Sequence, residues 1–270
     1  MDNRPIGVFD SGLGGLTAVK ELELALPKES IVYFGDTGRV PYGTRSRETV
    51  RTYAKQDMDF LIGQNVKAVL AACGTVSSTA ADIGASLPVP YFDVVVPTAK
   101  AAAAATKNGK IGIIGTSATI HSDSYRQALL AIHSELEVYP QACPLFVPLV
   151  ENAFISPQEE ITRLVAERYL APIREKGVDT LILGCTHYPI ISATIGSVMG
   201  KSVTLIDSGR EAALALASAL QEQGLLCDGN VPRKASYFVT DDPEGFTSVA
   251  GLFLGHSIEG RTERINIEKI

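Results

Sequence analysis

Short runs of β-branched and aromatic residues alternate along this chain with longer stretches of helical periodicity. The predicted strands are Ile6 to Phe9, Ile31 to Phe34, Ala68 to Ala72, Val89 to Phe92, Ile111 to Ile114, Glu137 to Tyr139, Thr180 to Leu183, Val203 to Ile206 and Ser236 to Val239. The predicted helices are Leu16 to Leu26, Arg47 to Gly63, Ala99 to Lys107, Pro157 to Lys176 and Glu211 to Glu222. Strands that alternate with helices of this length are typical of βαβ units. We therefore expect an α/β fold with mostly parallel sheets.

The chain also resembles itself in two halves. Ile6-Gly-Val-Phe-Asp-Ser-Gly is similar to Ile111-Gly-Ile-Ile-Gly-Thr-Ser, and Leu70-Ala-Ala-Cys-Gly-Thr is similar to Leu183-Gly-Cys-Thr. In both halves a predicted strand ends in a cysteine that is followed closely by threonine. Ligands of such sheets bind beyond the carboxyl ends of the strands. We therefore expect both cysteines to point into one cleft from opposite sides.

A third repeat, Asp207-Ser-Gly, is similar to Asp10-Ser-Gly. Together the repeats predict two pseudosymmetric α/β domains that face each other across a central cleft. We assign residues 1–96 with 208–270 to the first domain and residues 97–207 to the second.

The composition argues against several classes of protein. Of the 270 residues, 46% are hydrophobic and 20% are charged, which is typical of a globular protein and not of a disordered one. The net charge is -6 and no run rich in lysine and arginine occurs, so we expect no nucleic-acid partner. No apolar run reaches the roughly 18 residues that cross a bilayer, so we expect no membrane association.

The chain leads directly from Met1-Asp-Asn-Arg-Pro into a strand-like segment, which predicts a cytoplasmic protein without a signal peptide. The cysteines are widely spaced, so we expect free thiols and no disulfide framework. They are Cys73, Cys143, Cys185 and Cys227. No CxxC or HExxH motif occurs, and we expect no metal site.

Two glycine-rich loops follow the first two predicted strands. The first, Asp10-Ser-Gly-Leu-Gly-Gly-Leu, opens a helix, where glycines permit close approach of the backbone to a ligand and free N–H groups favour an anion. Its spacing is not the GxGxxG dinucleotide fingerprint, and a plain helix cap formed by Asp10 or Ser11 is the alternative interpretation. The second, Gly35-Asp-Thr-Gly-Arg-Val-Pro-Tyr-Gly, is either a surface turn or a substrate loop that carries Tyr42.

Cys73 and Cys185 stand at matching places in the two halves. A lone cysteine at a strand end is usually a small buried hydrophobe, but a matched pair indicates a shared role. A redox pair would lie close together in the sequence, and a single nucleophile needs no second thiol. Two thiols across a cleft suit racemisation, because one group removes a proton from a carbon while the other returns a proton to the opposite face.

Thiols suit both roles near neutral pH because free cysteine has a pKa of about 8.5. One cysteine must be the thiolate while the other is the thiol, and the roles exchange for the reverse reaction. Asp10 and His187 are candidate catalytic helpers for Cys73 and Cys185 respectively. A purely structural histidine is the alternative interpretation of His187.

Four stretches resemble the cofactor-independent Asp/Glu racemase family, in the family's order and over nearly the whole chain. They are Ile6-Gly-Val-Phe-Asp-Ser-Gly-Leu-Gly-Gly, Gly35-Asp-Thr-Gly-Arg-Val-Pro-Tyr-Gly, Gly112-Ile-Ile-Gly-Thr-Ser-Ala-Thr and Leu183-Gly-Cys-Thr-His-Tyr-Pro. The first, second and fourth are similar to the glutamate branch in particular. The resemblance implies two pseudosymmetric α/β domains, no pyridoxal phosphate or other cofactor, conversion of L-glutamate to D-glutamate for peptidoglycan, and the homodimer common in the family.

The resemblance also implies roles for individual residues. By position, Cys73 and Cys185 are the acid–base pair, with Asp10 and His187 beside them. The implied substrate contacts are Asp10, Ser11, Pro41, Tyr42, Gly43, Gly74, Thr75, Thr116, Thr119, Thr186 and His187, with Glu151 or Asn152 as a further candidate.

Gly74 departs from the family pattern, in which asparagine follows the first cysteine. The change removes a hydrogen-bonding side chain, worth about 0.5–1.5 kcal/mol net, although the backbone N–H of Gly74 remains. The substrate therefore stays open between glutamate and aspartate or another amino acid. A binding or regulatory protein that kept the cleft without turnover is an alternative from a different class.

Overall fold

A computed structural model of the chain describes residues 1–269. The strands are β1 (Ile6–Asp10), β2 (Ile31–Gly35), β3 (Ala68–Ala71), β4 (Tyr91–Asp93), β5 (Lys110–Gly115), β6 (Glu137–Ala142), β7 (Thr180–Leu183), β8 (Thr204–Asp207), β9 (Ala235–Val239) and β10 (Thr262–Arg264). The α-helices are α1 (Leu16–Ala25), α2 (Arg47–Gly63), α3 (Gly74–Thr79), α4 (Ala81–Gly84), α5 (Val95–Ala105), α6 (Ser117–His121), α7 (Ser124–Ile132), α8 (Phe146–Glu151), α9 (Glu160–Glu175), α10 (Ser192–Met199), α11 (Ser208–Glu222) and α12 (Pro243–Leu254). Within residues 1–269, no helix has the length and apolarity that crossing a membrane requires.

The strands form two sheets, and every strand pair in them is parallel. The first sheet has the order β10-β9-β2-β1-β3-β4, and the second has the order β6-β5-β7-β8. The four strands β2-β1-β3-β4 therefore repeat the arrangement β6-β5-β7-β8, with β1 matching β5 and β3 matching β7. The predicted pseudosymmetric α/β architecture with parallel sheets is confirmed. Below, the first half is the six-stranded sheet with the loops at its strand ends, and the second half is the four-stranded sheet with its loops.

The inner strands β1, β2, β3, β5 and β7 are almost entirely apolar because both faces of each sheet are covered there. Successive side chains of a strand point to opposite faces, so Val8 packs into the core that joins the two halves while Phe9 packs under α2. In the second half, Leu181 joins the same central core and Ile182 packs beneath α5 and α7. Burial on both faces is typical of parallel sheets. It explains why the strand runs lack a polar alternation.

All nine predicted strands and all five predicted helices are present, with bounds shifted by a few residues. β10 was not predicted, because its three residues at the sheet edge carry two exposed charged side chains and give no apolar signal. The twelve-residue α12 was also not predicted, although Pro243 at its start and Gly255 just past its end are ordinary helix boundaries.

The third repeat, Asp207-Ser-Gly, is not structurally equivalent to Asp10-Ser-Gly, although the two sequences match. Asp207 ends β8, whose counterpart in the first sheet is β4, so the residue that matches it is Asp93 and not Asp10. Asp207 accepts hydrogen bonds from the backbone of Gly209 and Arg210, and Asp93 accepts them in the same way from the start of α5. Both aspartates thus begin helices. The strands of the first sheet lie within residues 6–93 and 235–264 and those of the second within 110–207, while the division at residues 97 and 208 stays a prediction.

A buried ion pair lies under the amino ends of the first sheet. Lys67 Nζ lies 2.6 Å from Glu29 Oε2, and both side chains are almost completely buried. The same ammonium donates to the backbone carbonyls of Asp2 and Leu225, while Glu29 accepts from the backbone N–H of Cys227. All three donors of the ammonium and both oxygens of the carboxylate therefore have a partner, and the pair connects four distant segments of the chain at the end opposite to the strand carboxyl ends.

Candidate active site

Cys73 and Cys185 follow β3 and β7, which are equivalent strands of the two sheets. Both line a single cavity of about 320 Å³ between the halves. The predicted convergence of the two thiols follows from the topology, because parallel strands of both sheets bring their carboxyl ends to the same cleft. The two side chains are 5% and 6% exposed, so each sulfur faces the cavity from an almost fully buried position.

Eleven residues predicted from the sequence line this cavity. They are Ser11, Pro41, Tyr42, Gly43, Cys73, Gly74, Thr75, Thr116, Cys185, Thr186 and His187. Two other predicted residues, Asp10 and Thr119, do not line the cavity and instead lie behind residues that do. Thr119 Oγ1 is 3.0 Å from Thr116 Oγ1, so it supports a lining residue and does not face the cavity.

Cys73 lies in surroundings that favour the neutral thiol. Its Sγ is 3.6 Å from Ser11 Oγ, to which the thiol donates. Burial, and next the nearby carboxylate of Asp10, raise the pKa of Cys73 to about 12. A buried thiol beside a carboxylate keeps its proton at neutral pH.

Asp10 ties the first half to the second. One carboxylate oxygen accepts from the Gly12 N–H at 2.9 Å, and the other accepts from Thr186 Oγ1 at 3.4 Å. Burial raises the pKa of Asp10, while the charge of His187 and these hydrogen bonds act in the opposite direction. Because Thr186 directly follows Cys185, Asp10 contacts the turn that carries the opposite thiol.

Cys185 faces a histidine, in contrast to Cys73. His187 Nδ1 lies 3.9 Å from Cys185 Sγ, and His187 Nε2 lies 3.0 Å from Glu151 Oε1. The ring packs edge-on against Phe253 at a centroid distance of 5.8 Å. Burial disfavours the charged ring, but the hydrogen bonds to Cys185 and Glu151 outweigh it and raise the pKa of His187 to about 10. The protonated ring places a positive charge beside the Cys185 sulfur.

The cavity is therefore electrostatically asymmetric. The sulfur of Cys73 has a carboxylate behind it, and the sulfur of Cys185 has an imidazolium beside it. A carbon acid placed between the two sulfur atoms would meet one cysteine side chain on each face.

The loop after β2 is held by a buried polar network. The Tyr42 hydroxyl bonds to the carboxylate of Asp36, and it lies 3.0 Å from Asp57 Oδ2. Arg39 pairs with both carboxylates, and Thr240 Oγ1 donates to Asp36 at 2.8 Å. The hydroxyl of Tyr42 therefore points away from the cavity, although the residue lines it. The network holds the backbone of Pro41, Tyr42 and Gly43 against the cavity.

A chain of hydroxyls crosses from one half to the other. Thr75 Oγ1 lies 3.0 Å from Thr116 Oγ1, which lies 3.0 Å from Thr119 Oγ1. Thr75 belongs to the Cys73 turn, while Thr116 and Thr119 follow β5. These groups are polar, adjustable donors and acceptors at the edge of the cavity.

The structure also decides between the two residues that the sequence left open. Glu151 lines the cavity and reaches His187, whereas Asn152 donates to the Pro148 carbonyl at the surface. Val147 and Pro148 line the cavity as well and were not predicted. They lie on α8, whose apolar residues resemble an ordinary core helix, and no local signal marks them. Pro144, between β6 and α8, was missed as well, and the remaining missed lining residues each stand next to a predicted one, namely Gly12, Val40, Thr44, Ser117 and Gly184.

Comparison with known proteins agrees with this geometry. The family model described as Asp/Glu/Hydantoin racemase matches residues 14–216. A glutamate racemase of Geobacter metallireducens is 44% identical over 98% of this chain and 97% of its own length.

Two solved structures are similar over nearly all of both chains. Glutamate racemase isoform RacE1 from Bacillus anthracis has a TM-score of 0.93 at 38% identity, covering 98% of each chain. Glutamate racemase from Francisella tularensis, solved in complex with D-glutamate, has a TM-score of 0.92 at 41% identity, covering 100% of each. With the matched strands, the paired thiols and these relatives together, the chain belongs to the Asp/Glu/Hydantoin racemase family.

Proposed function

We propose that this protein is a glutamate racemase that interconverts L- and D-glutamate without a cofactor. The observation that carries the proposal is the placement of Cys73 and Cys185 on equivalent strands, lining one cavity in opposite electrostatic surroundings. The named activity of the relatives supports glutamate as the substrate. The proposal includes a cytoplasmic role in supplying D-glutamate for peptidoglycan. The homodimer stays a prediction.

In the proposed reaction, the substrate α-carbon lies between the two sulfur atoms. The Cys185 thiolate removes the α-proton of one enantiomer, and the electron pair stays on the α-carbon and its carboxylate. The Cys73 thiol then gives its proton to the opposite face and becomes the thiolate. The reverse reaction starts from the opposite protonation state.

The surrounding residues have separate roles in this proposal. His187, held by Glu151, stabilises negative charge on Cys185, and Asp10 keeps the proton on Cys73. Backbone N–H groups of the two glycine-rich loops and the hydroxyls of Thr75 and Thr116 bind the substrate carboxylates. Removal of water from the closed cavity strengthens these interactions.

The experiment that tests the proposal is incubation of the purified protein with L-glutamate or D-glutamate in heavy water. We expect both enantiomers to reach the same racemic mixture, with deuterium at the α-carbon of the product. A panel of other amino acids, including aspartate, tests the alternative that Gly74 changes the substrate. Stabilisation by glutamate without any exchange or inversion would refute the racemase proposal and favour a binding protein.

A further inference from the structure

The turn that carries Cys185 contains one backbone carbonyl that lacks the donor its neighbours have. The carbonyls of Cys185 and His187 each accept from the N–H three residues later, at 3.1 and 3.2 Å respectively. The carbonyl of Thr186 lies between them, and its corresponding donor would be residue 189. That residue is Pro189, which has no N–H. The sequence of the turn therefore leaves the Thr186 carbonyl in need of a donor from elsewhere in the fold.

The hydroxyl of Thr17 supplies this donor. Thr17 lies in the first turn of α1, which follows β1 of the first sheet, and its Oγ1 lies 3.0 Å from the Thr186 carbonyl oxygen. The same hydroxyl lies 2.9 Å from the Gly14 carbonyl, which also accepts from the Thr17 N–H at 3.0 Å. The Gly14 carbonyl therefore keeps a donor without the hydroxyl, whereas the Thr186 carbonyl depends on it.

This hydrogen bond is buried. Thr17 is 5% exposed, and Thr186 and His187 are 4% and 6% exposed. A buried carbonyl that has lost its only donor carries the full cost of its removal from water. Loss of the Thr17 hydroxyl would therefore favour a rearrangement of the turn that brings the Thr186 carbonyl to another donor.

Such a rearrangement would move a group of the candidate active site. The Thr186 carbonyl belongs to the peptide group that links Thr186 to His187, and this group is planar. A rotation of the carbonyl therefore shifts the backbone of His187. It would change the approach of the His187 ring to Cys185, whose Sγ lies 3.9 Å from Nδ1 in the present arrangement.

The segment before α1 supports the same turn by close contact. A Cβ atom added to Gly14 would lie 2.6 Å from His187 Nδ1 and would also meet the hydroxyl of Thr186. The turn therefore packs directly against the backbone at Gly14 and is held there by the Thr17 hydroxyl. Contact and hydrogen bond together fix the turn against the start of α1.

We propose that Thr17 is a positioning residue, and that its hydrogen bond to the Thr186 carbonyl holds Cys185 and His187 in the arrangement that catalysis requires. The inference rests on the proposed racemase function. Thr17 is not among the residues that line the cavity, so we assign it no contact with the substrate. Its loss should therefore lower kcat more than it raises KM.

The test compares two replacements of Thr17 with a matched control. Thr17→Val removes the hydroxyl and keeps a β-branched side chain of similar size, whereas Thr17→Ser keeps the hydroxyl. Thr98→Val is the control, because Thr98 is fully buried on α5 and its hydroxyl donates to the Val94 carbonyl at the start of the same helix. It reports the general effect of replacing a buried helical threonine by valine.

Two measurements are made on each variant. The first is kcat and KM for the inversion of glutamate, and we expect kcat of Thr17→Val to fall at least about 10-fold, since a 1 Å misplacement costs about 100-fold. The second is the rate at which iodoacetamide alkylates each cavity cysteine, read from the separate peptides by mass spectrometry. In Thr17→Val we expect faster alkylation of Cys185 and an unchanged rate at Cys73. Thr17→Ser and Thr98→Val should resemble the wild type in both measurements.

An unchanged kcat in Thr17→Val would overturn the inference, and so would an equal fall in Thr17→Ser, because the hydroxyl would then not be the cause. A parallel rise in the alkylation of Cys73 and Cys185, or loss of the folded state by circular dichroism, would overturn it as well, because either result would indicate a general structural role. A wild type that does not invert glutamate would instead refute the proposed function, and the alkylation rates would still test the contact.

Discussion

The carboxylate of Glu151 lies 3.0 Å from Nε2 of His187, whose other ring nitrogen faces the sulfur of Cys185. The contact connects Glu151, at the end of α8, through the His187 ring to a buried thiol. It favours the imidazolium form of the ring, and so the positive charge beside Cys185 depends in part on Glu151.

Replacement of Glu151 should therefore change the pH dependence of catalysis. In Glu151→Gln the negative charge is lost, so the pKa of His187 falls from about 10 and the enzyme loses its imidazolium at lower pH. We expect the alkaline limb of the kcat/KM profile to move to lower pH. Glu175→Gln, an exposed change on α9, is the control and should leave the profile unchanged. A Glu151→Gln profile identical to that of the wild type would contradict the assigned role.

Each active-site cysteine should be required for inversion. We expect Cys73→Ala and Cys185→Ala each to lower the rate of glutamate racemisation by at least about 100-fold, since positioned acid–base groups contribute about 10²–10⁴-fold. The fold should persist, because neither side chain is a large part of the core. Cys227→Ala is the control, since its thiol contacts the Lys28 carbonyl far from the cavity. A near wild-type rate in either cavity variant would refute the two-thiol mechanism.

The free energy of unfolding should fall as the pH rises from about 6.5 to about 10. His187 has an ordinary pKa of 6.5 when unfolded and a pKa of about 10 when folded, so the folded state binds the proton more tightly. The stabilisation is fully present below about pH 6.5 and is lost as the pH rises through about 10. Urea unfolding across this range should show a decreasing free energy of unfolding, and His187→Gln should show a shallower slope. Equal slopes for the wild type and His187→Gln would mean that folding does not raise the pKa of His187.

The buried ion pair of Lys67 and Glu29 gives a prediction about stability alone. Lys67→Met leaves Glu29 buried without its partner, which should cost about 3–5 kcal/mol. The double variant with Glu29→Gln should recover part of this loss, because the uncompensated charge is gone. Lys55→Met, which breaks an exposed pair with Asp59, should cost no more than about 0.5 kcal/mol. Denaturant unfolding measures all three, and equal losses for Lys67→Met and Lys55→Met would contradict the buried pair.

Tyr42→Phe should weaken the substrate loop. The change removes the donor to Asp57 Oδ2, while Asp36 keeps its bonds from Arg39 and Thr240, and leaving one buried acceptor unsatisfied costs about 1–3 kcal/mol. We expect a lower midpoint of unfolding and a higher KM, since the loop backbone lines the cavity. Tyr139→Phe, whose hydroxyl bonds to Glu137 at the surface, should change neither. An unchanged KM would show that the network does not position the loop.

Local patterns in the sequence determined the elements of this fold and the position of its thiols. β-branched runs predicted β1 and β7 because burial on both faces selects apolar residues at every position. Cys73 and Cys185 were found from matching strand ends, since the topology of parallel sheets brings such ends together. Gly43 and Thr116 were placed at the site only through the resemblance of their motifs to the Asp/Glu racemase family. These signals depend on residues that are neighbours in the sequence, so they can be found without knowledge of the tertiary contacts.

Only the tertiary structure decided how these groups act. It selected Glu151 over Asn152, turned the Tyr42 hydroxyl towards Asp57, and brought Thr17 against the Thr186 carbonyl. None of these outcomes has a local signal, because each depends on a contact between segments far apart in the sequence. The charge beside a thiol and the space for a Cβ atom depend on the residues that pack against them. Those residues are distant in the sequence and come together only when the chain folds.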